Sequence, residues 1–132
     1  MNVYLSHPLG CENGNDTVER QDNIYNAGLW LRFLMESMGW AINCPWFAYV
    51  AVLPSAMRPL AFASQLRIIP SCQLIVFCGA WSAHMILERK TARQHNVAEL
   101  DLTDLGRLPP PLDQDSGRAL IRARFRLLGM VP

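Results

Sequence analysis

The sequence has no uninterrupted apolar run that approaches the ~20 residues needed to span a bilayer. Its first residues also lack the basic start and the small-residue cleavage site of a secretory signal peptide. Charged residues are scarce, at 17% of the total, and 12 Lys and Arg nearly balance 11 Asp and Glu to give a net charge of +1. These features predict a soluble, cytoplasmic protein with no membrane partner, and they give no general reason to expect binding to a nucleic acid polymer.

Cysteine is also sparse, with four residues and no C-x-x-C pair. Cys72, Cys78 and His84 are evenly spaced, a pattern that raises the question of a metal site. The strand predicted between the two cysteines would hold them about 20 Å apart at ~3.3 Å per residue, which is too far for one ion. We therefore expect no metal and no other cofactor, and we interpret the cysteines as small buried residues in a reducing compartment.

Hydrophobic residues, by contrast, make up 51% of the 132-residue sequence, enough for one domain with a packed core. The stretch 71–96 organises that domain. Its apolar run Leu74–Phe77 has no polar alternation, which is typical of a strand covered on both faces. A turn at 78–81 then leads into a predicted helix at 82–96, which carries Glu88. A strand that leads directly into a helix N-terminus is a frequent way to build a site for a small anion.

The chain as a whole alternates predicted strands and helices. Strands are predicted at 2–6, 40–44, 74–77 and 97–102, and helices at 17–39, 55–69, 82–96 and in the C-terminal tail. This order predicts a three-layer α/β fold, Rossmann-like or flavodoxin-like, in which helices flank a mainly parallel sheet of four to five strands. Ligands in such sheets bind outside the carboxyl ends of the strands, so Ser6, His7, Asn43 and the turn 79–82 are expected to converge.

The C-terminal part of the chain differs from the rest in composition. The predicted organisation is an α/β domain at 1–105, a proline-rich linker at 106–117 and a basic amphipathic helix at 118–132. Such a helix can contact a membrane or nucleic acid, but docking on its own domain or on a sister subunit is the favoured interpretation. The aromatic segment 46–54 is compatible with a lid over a site, a dimer contact or an extra turn of helix.

Three short segments resemble a known family. The segments 3–10, 65–73 and 82–88 look like those of the nucleoside 2-deoxyribosyltransferase superfamily, and the resemblance covers 2–96. The nearest branch is formed by small phage and bacterial members, with the deoxynucleoside 5′-monophosphate N-glycosidases as cousins. The resemblance implies a protein that cleaves or transfers at the N-glycosidic bond of a nucleoside or its 5′-monophosphate. It also implies a homodimer or higher homo-oligomer with sites near the subunit contact.

The resemblance assigns roles to individual residues. It makes Glu88 the nucleophile that attacks the anomeric carbon, and it places Tyr4 near that nucleophile. It makes Ser82, six residues before the glutamate, the ligand of the 5′-phosphate, a role that suits a helix N-terminus with its free N–H donors. The remaining candidate substrate-binding residues are Ser6, His7 and Gly10 of the loop that wraps the nucleotide, Gln65, and Gly79 and Trp81 of the turn after the third strand.

The sequence departs from the family pattern at several of its positions. Gln65 and Gln73 stand where aspartates are expected, and an amide has no proton to donate to a leaving base. His84 and Ile86 replace glycines that are usual between the phosphate serine and the glutamate. His84, four residues before Glu88, is a candidate substitute proton donor; the alternatives are that it orients Glu88 or faces solvent.

Structural roles compete with each of these functional roles. The alternatives are a surface Glu88 paired with Arg89 or Lys90, Ser82 as a plain helix N-cap, and Tyr4 and Trp81 as packing residues. Three functions remain open from the sequence. The first is an enzyme acting on the N-glycosidic bond. The second is a nucleotide-binding or sequestering protein, favoured by the two amides, and the third is an interaction module that uses the tail and the aromatic segment.

Overall fold

A parallel β-sheet forms the centre of the protein in the computed structural model, which describes residues 1–8, 17–47 and 55–130. Its strands are β1 (Asn2–Ser6), β2 (Ala41–Asn43), β3 (Leu74–Phe77) and β4 (Ala98–Asp101), in the spatial order β2-β1-β3-β4. All three neighbouring pairs are parallel. The predicted α/β fold is confirmed, and the fourth predicted strand, β4, forms one edge of the sheet.

The register places the carboxyl ends of β1 and β3 side by side. Ser6 pairs with Phe77 at the end of this ladder, whereas β2 already ends with Asn43 opposite Tyr4. Strand β2 lies next to β1 toward one edge of the sheet, and β3 lies next to β1 toward the other edge. The connections that follow β1 and β2 therefore run in opposite directions across the sheet. In sheets with this strand order, the crevice where the connections diverge is the usual ligand site. In this protein the strand order gives the corresponding position at the carboxyl ends of β1 and β3.

Within the ranges that the structure describes, four helices flank the sheet: α1 (Thr17–Met38), α2 (Arg58–Leu66), α3 (Ala83–Gln94) and α4 (Asp115–Leu127). The single helix predicted at 55–69 is broken, because a 3-10 turn precedes α2 and Pro70 lies in a second one, Ile69–Ser71. Within the described residues, no helix combines the length and the apolar character needed to cross a membrane.

The helices form two layers, one on each face of the sheet. Helices α1 and α4 belong together, since Arg122 donates to the carbonyl of Ser37 at 3.2 Å and Phe125 packs on Trp40 at 5.2 Å between ring centroids. Helices α2 and α3 meet through the ring of His84, whose centroid lies 4.6 Å from that of Phe62. The resulting architecture has three layers.

The apolar spacing of α1 predicts one buried face that includes Ala27, Leu34 and Met35, and the structure confirms it in part, because Ala27 and Leu34 are completely buried. Met35, expected in the core, is 49% exposed, whereas Trp30 and Phe33 are almost completely buried. The helix carries apolar residues around most of its circumference, so periodicity alone does not select one face. The indole N–H of Trp30 donates to the carbonyl of Arg107 at 3.0 Å, a contact that ties the helix to the segment before α4.

The C-terminal helix docks on its own domain, which is one of the two favoured interpretations of its sequence. It begins at Asp115, so the linker is shorter than predicted. Ile121 and Phe125 are buried, and Arg124 forms two hydrogen bonds of 2.6 Å to the carboxylate of Asp104. Most of the apolar stripe of α4 is thus covered within the chain, although Leu128 stays 37% exposed.

Candidate functional site

The candidate site is built on the end of β1 and the first turns of α3. Side chains alternate across a strand, so Tyr4 and Ser6 share one face of the sheet, and His7 follows directly after the strand. Glu88 approaches the first face from α3. The hydroxyl of Ser6 donates to Oε1 of Glu88 at 3.0 Å, and both side chains are buried.

Burial controls the ionisation of Glu88. The residue is 1% exposed, and this desolvation raises the pKa of its carboxyl to about 7, although Tyr4 and Ser6 act in the opposite direction. The neighbouring cation is engaged elsewhere, since Arg89 bonds to Glu99 at 3.1 Å. The alternative of a surface carboxylate paired with Arg89 or Lys90 is therefore wrong.

Tyr4 faces the same carboxylate. Burial first, and then the negative charge of Glu88, raise the pKa of its hydroxyl well above the ordinary value, so the phenol stays protonated. The two groups are close enough to affect each other's pKa, yet their geometry does not complete a hydrogen bond. Tyr4 thus supplies a neutral hydroxyl beside the carboxylate.

Unpartnered buried polar atoms are concentrated at this site. The structure has six buried side-chain atoms without a hydrogen-bond partner in the part of the chain it describes. Three of them are the Tyr4 hydroxyl, Nε2 of His7 and Oε2 of Glu88. Such atoms are rare and costly in folded proteins, so these three groups are candidates for contact with a ligand.

His7 is held as a neutral ring at the end of β1. Its Nδ1 lies 2.8 Å from the carbonyl of Pro8, which can only accept, so Nδ1 carries the hydrogen and Nε2 is an acceptor. Burial lowers the pKa of the ring. The ring stacks on Trp46 with centroids 6.3 Å apart, and the indole of Trp46 donates to the carbonyl of Leu5 at 3.0 Å.

Gly79 lets the turn after β3 pack against this histidine. It has a φ of +78°, a conformation that favours glycine, and an added Cβ would lie 3.0 Å from both His7 Nε2 and Pro8 Cδ. The N–H of Cys78 also donates to the carbonyl of Ser6 at 2.9 Å, which extends the ladder by one bond. The ends of β1 and β3 therefore form one tightly packed unit.

Ser82 is the N-cap of α3. Its hydroxyl accepts a hydrogen bond from the N–H of Met85 at 3.3 Å, and its backbone has the extended conformation typical of a cap. The structural role considered for this serine is confirmed. Phosphate binding by the same hydroxyl stays a prediction.

Trp81 and His84 lie outside the buried cluster around Glu88. The ring of Trp81 packs 4.8 Å from that of Phe77, and the guanidinium of Arg89 lies over it at 5.0 Å. His84 is exposed and contacts Phe62, whereas Glu88 is buried. Packing explains Trp81, and the different environments of His84 and Glu88 weaken the case for His84 as a proton donor.

The other predicted residues lie in different surroundings. Gln65 is 2% exposed with an unpartnered Oε1, whereas Gln73 accepts from the backbone N–H of Asn2 at 2.8 Å. Asn43 does not reach the strand ends as expected, because its amide donates to Asn2 Oδ1 at 2.7 Å, toward the start of β1. Gly10 lies outside the described residues.

Two contacts of the site were not predicted from the sequence. These are the hydrogen bond from Ser6 to Glu88 and the support that Trp46 gives to His7. The sequence carries a signal for the first contact, because Ser6 follows Tyr4 by two residues and must point to the same face of the sheet.

Over the described ranges, no three His, Cys, Asp or Glu side chains are grouped so as to hold a metal ion.

Comparisons of the chain with family models, with curated proteins and with solved structures gave no match. The resemblance to the nucleoside 2-deoxyribosyltransferases therefore stays a prediction that rests on the quoted residues. The site itself brings together a buried carboxylate, a tyrosine hydroxyl and a serine hydroxyl at the carboxyl end of β1.

Proposed function

We propose that the protein cleaves or transfers at the N-glycosidic bond of a nucleoside or nucleoside 5′-monophosphate, with Glu88 as the nucleophile. One observation carries the proposal: Glu88 is buried and held by Ser6 through one oxygen, while its other oxygen has no partner. An unpaired carboxylate oxygen in a protein interior destabilises the fold. A role in chemistry accounts for its presence.

In the proposed reaction, the unpartnered oxygen of Glu88 is the attacking atom. Oε2 of Glu88 bonds to the anomeric carbon as the carbon–nitrogen bond breaks, and the bonding electron pair leaves with the base. Water, or a second base, then attacks the anomeric carbon and releases the carboxylate. Water as the acceptor gives hydrolysis, and a base gives transfer.

Protonation of the leaving base is the weak step of this mechanism. Gln65 has no acidic proton, Tyr4 is held protonated by burial, and His7 is neutral with its hydrogen on the nitrogen that bonds to Pro8. The departing base therefore takes its proton from water, and we expect the rate to be lower by the 10²- to 10⁴-fold factor that a positioned acid supplies.

Release of free base tests the proposal. Wild-type protein, Glu88→Gln and the control Glu36→Gln are incubated with ribo- and deoxyribonucleosides and their 5′-monophosphates, and the products are separated by chromatography. Glu36 is an exposed carboxylate paired with Arg32, so its loss leaves the site unchanged. We expect base release by wild type and the control only. Equal release by Glu88→Gln would show that this carboxylate is not the nucleophile.

A second candidate function keeps the site but not the reaction. The buried amide of Gln65, whose Oε1 has no partner, favours a protein that binds a nucleotide without cleaving it. In that case no base is released, while the same panel of compounds still raises the melting temperature of wild type.

Assembly as a homodimer, implied by the resemblance, stays a proposal that light scattering of the purified protein tests.

A further inference from the structure

The hydrogen bond between Ser6 and Glu88 joins residues that are 82 positions apart in the chain. Among the substrate-binding candidates, Ser6 is the one whose hydroxyl is engaged by the proposed nucleophile itself. We propose that Ser6 is a positioning residue, which holds Oε1 of Glu88 and thereby assigns Oε2 as the oxygen that reacts. This assignment rests on the proposed function.

The position of the serine hydroxyl is determined by the sheet. Ser6 pairs with Phe77 in the parallel ladder, and its carbonyl accepts from the N–H of Cys78 at 2.9 Å. Its side chain is fully buried, so bulk water does not compete for the hydroxyl. A donor on a rigid strand fixes the orientation of a carboxylate better than one on a loop.

Among the described residues, few other groups act on the Glu88 carboxylate. On the side of β1, Tyr4 is the ionisable neighbour, and its hydroxyl misses hydrogen-bond geometry. On α3, Arg89 bonds to Glu99 and Lys90 is exposed. Ser6 therefore provides the one completed hydrogen bond to the Glu88 carboxylate in the described part of the chain, and its removal affects both orientation and ionisation.

The consequence for chemistry follows from the donor role of the hydroxyl. A hydrogen bond to the ionised form of a carboxyl group favours ionisation. Without it, the carboxyl keeps its proton to a higher pH, and a protonated carboxyl does not attack the anomeric carbon. The carboxyl group also gains freedom to rotate, so either oxygen is presented to the substrate.

The first test follows the Glu88 carboxyl by carbon NMR through a pH titration of the full-length protein. The signal is identified by its loss in Glu88→Gln, and folding is checked by circular dichroism. We expect the titration midpoint in Ser6→Ala to rise by about one pH unit, because one charge-assisted hydrogen bond is lost. Ser6→Thr keeps the hydroxyl and is expected to restore the wild-type midpoint.

The second test measures base release by the same variants. In Ser6→Ala we expect kcat to fall about tenfold or more with KM little changed, and the acidic limb of the pH profile to move with the NMR midpoint. If Ser6→Ala does not fold, Ser6→Cys replaces it, since a thiol of similar size is a weak donor.

The two tests separate the failure of the inference from the failure of the proposed function. An unchanged midpoint in both Ser6→Ala and Ser6→Cys overturns the positioning role, whatever the activity. Absence of base release by wild type instead refutes the proposed reaction and with it the assignment of Oε2. The NMR titration then still decides whether Ser6 controls the ionisation of Glu88.

Discussion

At the scale of single residues, the burial of Glu88 is energetically unfavourable for its charged form, and the same burial allows the carboxyl to exchange a proton near neutral pH. Its burial disfavours the charged form, yet Ser6 and Tyr4 lie where they stabilise that form. With a pKa of about 7, the carboxyl is partly ionised at neutral pH, so it can exchange a proton under physiological conditions. A structural ion pair does not explain this arrangement, because Arg89 bonds to Glu99 instead.

The raised pKa of Glu88 predicts a specific dependence of stability on pH. The folded-state pKa of about 7 lies above the ordinary value of 4.5, so the folded protein binds the proton more tightly than the unfolded chain. The contribution of Glu88 is fully present below pH 4.5, is lost as the pH rises to 7, and stays lost above it. The loss amounts to about 3 kcal/mol.

Urea denaturation of wild type and Glu88→Gln at pH 5 and pH 8 measures this effect. The uncharged amide removes the titration, so the variant should gain stability relative to wild type between the two pH values, by up to about 3 kcal/mol. Other titrating groups cancel in this difference. A constant difference between the two proteins would mean that Glu88 ionises in the folded protein as it does in the unfolded chain.

At the scale of structural elements, the site depends on the contact between the loops that follow β1 and β3. Gly79 has a positive φ, and a Cβ added there would lie 3.0 Å from both His7 Nε2 and Pro8 Cδ. Both the backbone conformation and the available space favour glycine at this position. The turn thus holds His7 next to Ser6, whose hydroxyl bonds to Glu88 of α3.

Paired substitutions separate the two requirements at Gly79. Gly39 also has a positive φ, +66°, but an added Cβ there meets nothing within 4 Å. We expect Gly39→Ala to cost about 1 kcal/mol from backbone strain, and Gly79→Ala to cost at least about 1 kcal/mol more because it also displaces His7. Urea denaturation measures both. Equal losses of unfolding free energy in the two variants would indicate that the loops after β1 and β3 accommodate the added methyl group without further destabilisation.

The sequence predicts an element well when the residues of that element alone determine its structure, and poorly when tertiary packing determines it. Leu74–Phe77 is predicted to the residue, because an apolar run bounded by polar and turn residues defines a buried strand. The division of 55–71 into shorter helical pieces is not predicted, since it reflects packing around Pro70. Likewise the family resemblance singles out Glu88, but its bond to Ser6 depends on how α3 packs on β1.

At the scale of the whole molecule, the basic tail completes the domain. Helix α4 covers Trp40 and contacts the end of α1 through Ser37. Most of its apolar stripe is used inside the chain, which weakens the case for an interaction module built on the tail. These contacts place α4 beside α1, whereas Glu88 belongs to α3.

A pair of substitutions on α4 tests this docking. Phe125 is 5% exposed, and its replacement by alanine should lower the free energy of unfolding by about 3 to 5 kcal/mol. Leu127 is 87% exposed, and its replacement by alanine should change the value by less than about 0.5 kcal/mol. Similar small effects for both variants would show that α4 does not stabilise the domain.

The central claim is that Oε2 of Glu88 bonds covalently to the sugar. Mass spectrometry of wild-type protein, quenched with acid during turnover of a substrate found in the base-release panel, tests it most directly. The account predicts a peptide containing Glu88 that carries the mass of the glycosyl group, with no such adduct in Glu88→Gln. Base release accompanied by an adduct on another residue would contradict the account.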